Sequence, residues 1–216
     1  MNLDAVRVLT HSAIRLQANS GAVVYCDPYD LMDAPHDASV VLITHNHYDH
    51  FSPEDYKKVA NEHTVVIAPS TIEQDVATLG AARVILLDAG DSTEVCGVAV
   101  SAVPAYNVES ERLQFHPKEN KWVGYLVGFD GTSFYISGDT DENEDIDKVS
   151  CDVALIPIGG TYTMDPAQAA VFINTIKPAV VVPTHYGTAV GNKEDVEAFE
   201  PLVDPSIQVV RKMEWH

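Results

Sequence analysis

The 216-residue sequence predicts an α+β fold in which two β-sheets pack face to face with helices on the outside, a four-layer αββα sandwich. Two observations predict this class: short strand-like runs dominate the first part of the chain, and helical segments are interleaved with strands in both halves. The hydrophobic fraction of 46% and the charged fraction of 21% are those of an ordinary globular protein. The same order of elements also fits other α+β folds, so the pattern alone does not choose among them.

The chain opens with three strand-like runs, at residues 5–9, 13–18 and 22–26. Residues 19–21 read Asn-Ser-Gly, a hairpin turn signal, because Asn and Gly tolerate positive φ. The β-branched run 40–44 is typical of a strand that is covered on both faces. A helix is then predicted from Ser52, since serine caps a helix and Pro53 suits its first position.

Strands and helices alternate in the rest of the chain. A helix is predicted over 70–79, ended by Gly80, and a second begins at Asp165 and Pro166 with one apolar stripe along it. No low-complexity segment or linker divides the sequence, so we predict a single domain over residues 1–216. The remaining strands are predicted at residues 64–68, 83–87, 93–96, 98–103, 122–129, 133–136, 152–158 and 179–183.

The charge balance bears on the partners of the protein. A formal net charge of −19 should repel phosphate backbones and anionic membranes, so we expect neither a nucleic-acid nor a membrane partner. The N-terminus shows no secretory signal pattern, and the apolar runs are too short to span a bilayer. The odd, sparse set of Cys26, Cys96 and Cys151 predicts reduced, buried thiols, and together these features predict a cytoplasmic protein.

The segment that carries chemistry is 41–50, in which an apolar strand runs into three histidines and an aspartate. His45 and His47 project to one side of an extended chain, so they can reach one metal ion together. Asp49 and His50 follow as the chain turns toward the helix, and they can face a second ion. Imidazole nitrogen and carboxylate oxygen are ligands that zinc, iron and manganese accept. A polar loop with a chance cluster of histidines is the weaker alternative.

The motif H-x-H-x-D-H after a buried strand resembles the signature of the metallo-β-lactamase superfamily. Two later segments, 137–140 and 183–187, match that superfamily in order and context. Within it, the chain is similar to the branch of small hydrolases that includes the ascorbate-6-phosphate lactonase-like proteins. The resemblance covers nearly the whole chain and implies the αββα sandwich. The segments that indicate the branch are 10–13, 26–28, 104–107 and 158–161.

The resemblance implies a centre of two divalent metal ions, most often Zn²⁺, with Mn²⁺ or Fe²⁺ as alternatives. It places Asp139 as the bridging ligand and, with Asp49, as a catalytic residue. Asp139 as a turn cap and His185 as a core histidine are the structural alternatives. The implied assignments are His45 and His47 for the first ion, and Asp49, His50 and His185 for the second.

The implied activity is metal-dependent hydrolysis of a small ester-like substrate, a lactone, a thioester or a phosphoester. Two cations about 3.5–4 Å apart can share a water, lower its pKa and present a bridging hydroxide to the substrate. Asp139 could accept the proton of that water. The alternatives are a nucleic-acid phosphodiesterase of the same fold, which the lack of a basic run opposes, and a metal-dependent binding or sensor protein without turnover.

The sequence departs from the superfamily pattern where a third histidine usually binds the first ion, because Asn107 occupies that place. A neutral amide is a poor zinc ligand beside two imidazoles. We therefore predict that His116, which Pro117 biases to an extended backbone, completes the first site. Asn107 is then predicted to contact either the substrate or a side chain that binds the metal. The alternative is a first site with two histidines, water and Asp139.

Other residues are predicted to support the centre. Asp27, His11 and Tyr186 are placed beside it, against a metal-bound side chain or the substrate, with surface turns as the alternative for the first two. The loop 107–121 holds several of the chain's few cations. It is predicted to recognise an anionic group of the substrate, such as phosphate, or else to be a solvated surface loop.

Overall fold

The computed structural model describes residues 2–215, which form two mixed β-sheets. In the first sheet the strands lie side by side in chain order, antiparallel from β1 to β3 and parallel from β3 to β6. These strands are β1 (Val6–Thr10), β2 (Ala13–Gln17), β3 (Val23–Cys26), β4 (Val40–Leu42), β5 (Val65–Ala68) and β6 (Arg83–Leu86).

The second sheet also keeps chain order across its width, antiparallel from β7 to β10 and parallel from β10 to β13. Its strands are β7 (Ser92–Val95), β8 (Val98–Pro104), β9 (Val123–Phe129), β10 (Thr132–Ile136), β11 (Val153–Pro157), β12 (Val180–Thr184) and β13 (Gln208–Val209).

The α-helices of the described chain are short, and their ends follow from capping residues. Ser52 accepts a hydrogen bond from the backbone N–H of Asp55 at the start of α1. Asp165 and Gln168 form a complete capping box at the start of α3. None of the helices in residues 2–215 is long and apolar enough to cross a membrane. The helices are α1 (Pro53–Val59), α2 (Glu73–Ala77), α3 (Pro166–Ile176) and α4 (Asp195–Phe199).

Three apolar clusters define the layers. The largest lies between the sheets and joins side chains such as Leu16 and Val127 from opposite sheets. A second packs α1 and α2 onto the outer face of the first sheet, and a third packs α3 and α4 onto the outer face of the second. The predicted αββα sandwich is therefore confirmed.

The structure differs from the sequence predictions at several elements and in the burial of the cysteines. The helix predicted over 70–79 is a 3₁₀ turn, Ser70–Ile72, followed by the short α2. The elements α4 and β13 had no sequence prediction. Cys96 is exposed and Cys151 is only partly buried, so the prediction of three buried thiols is confirmed for Cys26 alone. Cys96 and Gly97, with φ of 54° and 74°, form the two-residue turn between β7 and β8, and a hairpin of this kind points its turn residues into solvent.

One end of the sandwich brings loops of both sheets together. The segment after β4 contacts the start of β9, where the N–H of Val123 donates to the carbonyl of Thr44 at 3.3 Å. The N–H of His185, just after β12, donates to the carbonyl of His11, between β1 and β2, at 2.9 Å. These hydrogen bonds fix the two sheets relative to each other at the end where the predicted site residues lie.

Candidate metal centre

The segment 45–50 leaves β4 and folds into a turn before α1. The N–H groups of His50 and Phe51 both donate to the carbonyl of His47, at 3.0 and 2.8 Å. This turn buries His45, Asp49 and His50, leaves His47 half-buried and exposes Tyr48. The predicted segment thus presents its three imidazoles and its carboxylate to one region.

Asp27 and Thr44 fix which nitrogen of two imidazoles carries the proton. Asp27 is buried and accepts from Thr44 N at 2.8 Å, from Thr44 Oγ1 at 2.6 Å and from His50 Nδ1 at 2.8 Å. Since the Thr44 hydroxyl donates to Asp27, it accepts from His45 Nδ1 at 2.9 Å. We assign the Nδ1–H tautomer to both rings on these partners, which leaves the Nε2 of each ring with a lone pair for a cation. The Nε2 of His45 lies 3.1 Å from His47 Nδ1.

Asp139 lies at the middle of the cluster, buried, after β10. Its Oδ1 is 3.3 Å from His50 Nε2. Its Oδ2 is 3.1 Å from His185 Nε2 and 3.2 Å from His116 Nε2. Burial raises the pKa of this carboxyl, but the imidazoles of His185 and His50 outweigh burial and hold the pKa well below its usual range. The structure therefore presents Asp139 as an ionised carboxylate.

Gly138 and Gly159 allow the backbone to approach the centre closely. A Cβ on Gly138 would lie 3.1 Å from Thr44 Cβ, and Gly138 has a φ of 62°, a region that L-residues avoid. A Cβ on Gly159 would clash with the carbonyl oxygen of His185. Both glycines thus keep the strand ends that carry Asp139 and His185 in place.

The side chains form overlapping groups whose ligand atoms lie within 4.8 Å of one another. Several buried atoms in them have no hydrogen-bond partner, among them His50 Nε2, Asp139 Oδ1 and both ring nitrogens of His116 and His185. Buried polar atoms normally have partners, and a divalent cation would satisfy these lone pairs. The residues therefore fit metal binding. The groups are His11, Asp49, His50 and His185; His45, His47 and His116; and His45, His50 and Asp139.

The structure places the His116 ring beside His45 and His47, which is the position that the sequence analysis predicts for it. Its ring centroid lies 5.2 Å from that of His45 and 4.9 Å from that of His47. Asn107 holds the loop instead: its N–H donates to the carbonyl of His116 at 2.8 Å. Its Nδ2 donates to the carbonyls of Arg112 and Tyr162 at 2.9 and 2.8 Å.

His11 is fully buried beside the second group, so the alternative of a surface turn is wrong. Its Nε2 lies 3.1 Å from Asp49 Oδ2 and its Nδ1 lies 2.9 Å from Thr188 Oγ1. Burial, together with the neighbouring His185, lowers the pKa of His11 to about 4, so the ring is neutral near pH 7. Sequence reasoning missed Thr188, because its contact with His11 spans 177 positions.

The prediction that the side chain of Tyr186 lies beside the metal centre is wrong. Its ring is buried in the apolar cluster that packs α3 onto the second sheet, and it packs against Trp215 with 5.5 Å between ring centroids. Tyr186 follows His185 directly, and its side chain lies among these apolar residues while that of His185 lies in the centre. The structure thus gives Tyr186 a packing contact with the C-terminal segment.

Two of the three Lys and Arg side chains of the loop 107–121 pair with acidic residues. Arg112 donates to Asp141 Oδ1 at 2.7 Å and to Gln168 Oε1 at 3.0 Å. Lys118 donates to Asp145 Oδ2 at 2.8 Å and lies over the Tyr106 ring at 4.4 Å. These pairs tie the loop to the segment after β10, which carries Asp139.

A family model described as a β-lactamase superfamily domain matches residues 5–185. The chain belongs to the metallo-β-lactamase superfamily. Its relatives in this superfamily include the UPF0173 metal-dependent hydrolase of Thermococcus kodakarensis, which is 31% identical over 224 residues, 95% of this chain and 94% of the relative. The UPF0173 metal-dependent hydrolase of Methanosphaerula palustris is 30% identical over 205 residues, 90% of this chain and 88% of the relative.

Solved structures show the same superfamily fold. A Parabacteroides distasonis protein assigned as a metal-dependent hydrolase has a TM-score of 0.81 and 28% identity, over 97% of this chain and 93% of that one. CmlA of Streptomyces venezuelae, a diiron β-hydroxylase, has a TM-score of 0.75 and 16% identity, over 96% of this chain and 52% of that one. The predicted superfamily is confirmed, and the lactonase-like branch stays a prediction.

Proposed function

We propose that this protein is a binuclear metal-dependent hydrolase that cleaves a small ester-like substrate. The observation that carries the proposal is the position of Asp139 Oδ2, 3.2 Å from a ring of one ligand group and 3.1 Å from a ring of the other. One carboxylate between two such groups suits a bridge between two cations. The first ion would be held by His45, His47 and His116, and the second by Asp49, His50 and His185, with Asp139 shared.

Two divalent ions bound there would lower the pKa of a shared water and polarise the carbonyl or phosphoryl oxygen of the substrate. The chain's own residues do the rest. Asp27 and Thr44 hold two imidazoles with Nε2 toward the ions, and Asp139 would be the carboxylate placed to accept the proton of the attacking water. Zn²⁺ is the first candidate for this nitrogen and oxygen donor set, and Mn²⁺ or Fe²⁺ also suits it.

The proposal favours a small molecule over a macromolecule as the substrate. The net charge of −19 opposes a nucleic acid, since phosphate backbones are bound mainly through clustered cations. The relatives named as metal-dependent hydrolases support turnover over a sensor without activity. Three free cysteines support a cytoplasmic location, because disulfides form in oxidising compartments.

The test combines metal content with a panel of lactones, thioesters, carboxylic esters and phosphodiesters, each with and without chelator. We expect close to two equivalents of metal and chelator-sensitive hydrolysis of at least one member. Asp139→Ala should lower that activity at least about 100-fold, since it removes a shared ligand. Glu62→Ala, an exposed carboxylate outside the centre, is the control and should change neither quantity. Zero metal after reconstitution, or near-normal turnover by Asp139→Ala, would contradict the proposal.

A further inference from the structure

Large apolar side chains stand exposed on the segments that border the metal centre. Tyr48 is 70% exposed, and Leu113, Val108 and Tyr162 are 47%, 45% and 37% exposed. Single exposed apolar residues are common on protein surfaces and need no explanation. Four of them beside the centre do need one, three of them on segments that carry a proposed metal ligand, because exposed apolar groups beside a site commonly contact its ligand.

Tyr48 lies on one side of the centre. It stands between His47 and Asp49, so its backbone is fixed by the turn that carries both. Its ring packs edge-on against Tyr29, with 6.0 Å between centroids, and the Tyr29 ring lies 6.2 Å from that of His11. One edge of the centre is therefore lined by two aromatic rings.

Tyr162 lies on the other side. Its carbonyl accepts from Asn107 Nδ2 at 2.8 Å, and its ring packs edge-on against Phe115 with 4.7 Å between centroids. Phe115 directly precedes His116, so Tyr162 is held to the loop that delivers this histidine. A second edge of the centre is therefore lined by the rings of Tyr162 and Phe115.

Two cations near this edge already have carboxylate partners. Arg112 bonds to Asp141, and Lys118 bonds to Asp145. The ammonium group of Lys193 lies over the Trp215 ring at 4.6 Å. An anionic substrate tail would have to displace these partners and approach a chain with a net charge of −19. The surroundings of the centre thus favour an uncharged substrate with an apolar part.

We propose that Tyr48 and Tyr162 form an aromatic clamp that selects neutral esters, thioesters or lactones with an apolar acyl group over phosphoesters. Tyr29 and Phe115 support the two rings of the clamp. The proposal rests on the proposed hydrolase function and names the substrate class of that site. Burial of each methylene between the rings should raise kcat/KM roughly two- to fourfold, the factor expected for partial to full removal of a CH₂ group from water.

The experiment uses the full chain loaded with zinc and measures kcat/KM for p-nitrophenyl acetate, butyrate and hexanoate, with p-nitrophenyl phosphate alongside. We expect kcat/KM to rise with acyl length and to be lowest for the phosphate. Tyr48→Ala and Tyr162→Ala should flatten this rise while metal content stays constant, so that hexanoate hydrolysis falls more than acetate hydrolysis. Tyr162→Phe should keep the rise, because the ring face and not the hydroxyl makes the contact.

Leu202→Ala is the matched control, because Leu202 is 50% exposed on a 3₁₀ turn that carries no ligand. A wild-type series without length dependence, or a Tyr162→Ala series as steep as the wild type, would overturn the clamp and leave the hydrolase proposal intact. Faster cleavage of the phosphate than of every ester would also overturn it. Turnover of none of the probes, with or without bound zinc, would instead count against the hydrolase proposal itself.

Discussion

His11 shows how a single residue can be tied to the centre from two sides. Thr188 Oγ1 lies against its Nδ1 and Asp49 Oδ2 lies against its Nε2. The ring is also 3.8 Å, centroid to centroid, from that of His185. Because the ring is neutral, only one of its nitrogens carries a proton. If the Thr188 hydroxyl donates to Nδ1, Nε2–H donates to Asp49; if the hydroxyl accepts from Nδ1–H, the Nε2 lone pair is available to a cation. The hydroxyl of Thr188 therefore determines whether His11 donates a hydrogen bond to Asp49 or binds a cation.

The ligand role of His116 can be tested against that of Asn107. His116→Ala should lose about one equivalent of metal, because its ring lies with His45 and His47 in one ligand group. Asn107→Ala should keep its equivalents, since the Asn107 amide donates to two carbonyls and so faces the backbone. Metal is measured by elemental analysis after reconstitution and gel filtration. Loss from Asn107→Ala alone would transfer the ligand role, and loss from neither would indicate an incomplete first site.

The residues that sequence alone could predict are those whose signal is local. His45, His47, Asp49 and His50 share one short segment, so their closeness in sequence alone places them together. Thr188 is different, because nothing near it in sequence indicates a partner and its contact depends on how β1 and β12 end at the same edge. The apolar contact of Tyr186 with Trp215 could not be predicted from the sequence either, since it depends on the path of the C-terminal segment.

At the scale of elements, α1 depends on one carboxylate. Asp55 accepts from Ser52 Oγ at 2.7 Å and from Lys58 Nζ at 2.8 Å, within its own helix and cap. It also accepts from the N–H groups of Asp30 and Leu31, at 2.9 and 3.0 Å, in the segment between β3 and β4. Asp55 therefore fastens that segment to the helix that follows the ligand turn.

Asp55→Asn should destabilise the protein, because the amide NH₂ group would face groups that themselves donate hydrogen bonds to Asp55. We expect a loss of about 1–3 kcal/mol in the free energy of unfolding at pH 7, or roughly 2–12 °C in Tm. Burial raises the pKa of Asp55, but the bonds from Lys58, Leu31 and Ser52 outweigh it and lower the pKa. A lowered pKa adds stability above the unfolded-state value, about 3.9, and that stability is lost as pH falls through the folded-state value.

The difference in the free energy of unfolding between wild type and Asp55→Asn should therefore have its maximum value above about pH 5 and become smaller below about pH 4. Urea unfolding at several pH values measures it. Glu54→Gln is the matched control, an exposed carboxylate one position earlier in the same helix turn, and it should differ little from wild type. A difference that stays constant down to pH 3 would show that the charge of Asp55 contributes nothing.

Elements with complete end signals were predictable, and the others were not. The helix α3 has a capping box, a proline at its first turn and an apolar stripe, so its start follows from Asp165 and Pro166. The helix α4 has five residues and no side-chain cap, and β13 has two residues, so neither carries enough pattern to be recognised. Their positions depend on packing against α3 and on pairing with β12.

At the scale of the whole molecule, the centre draws on both sheets. His45 and His50 follow β4 of the first sheet, whereas Asp139 and His185 follow β10 and β12 of the second. His11, between β1 and β2, and His116, between β8 and β9, add one side chain from each sheet. Metal ions bound among these residues would connect the two sheets at one end, so metal binding should be linked to the stability of the entire sandwich.

Removal of metal should therefore lower the thermal stability of the whole chain in one transition. A ligand present at 100 times its Kd stabilises the folded state by about 2.7 kcal/mol, which corresponds to roughly 5–11 °C in Tm for a chain of this size. Scanning calorimetry of the chelated and the zinc-loaded protein measures the shift.

The variant His185→Ala should lose most of this shift in Tm, because the His185 ring belongs to the second sheet and to the second ligand group. His63→Ala should keep it, since His63 is an exposed histidine outside the centre. Equal Tm values with chelator and with excess zinc would mean that the cluster does not bind the ion tightly enough to join the sheets, and a shift retained in His185→Ala would place the stabilising ion elsewhere.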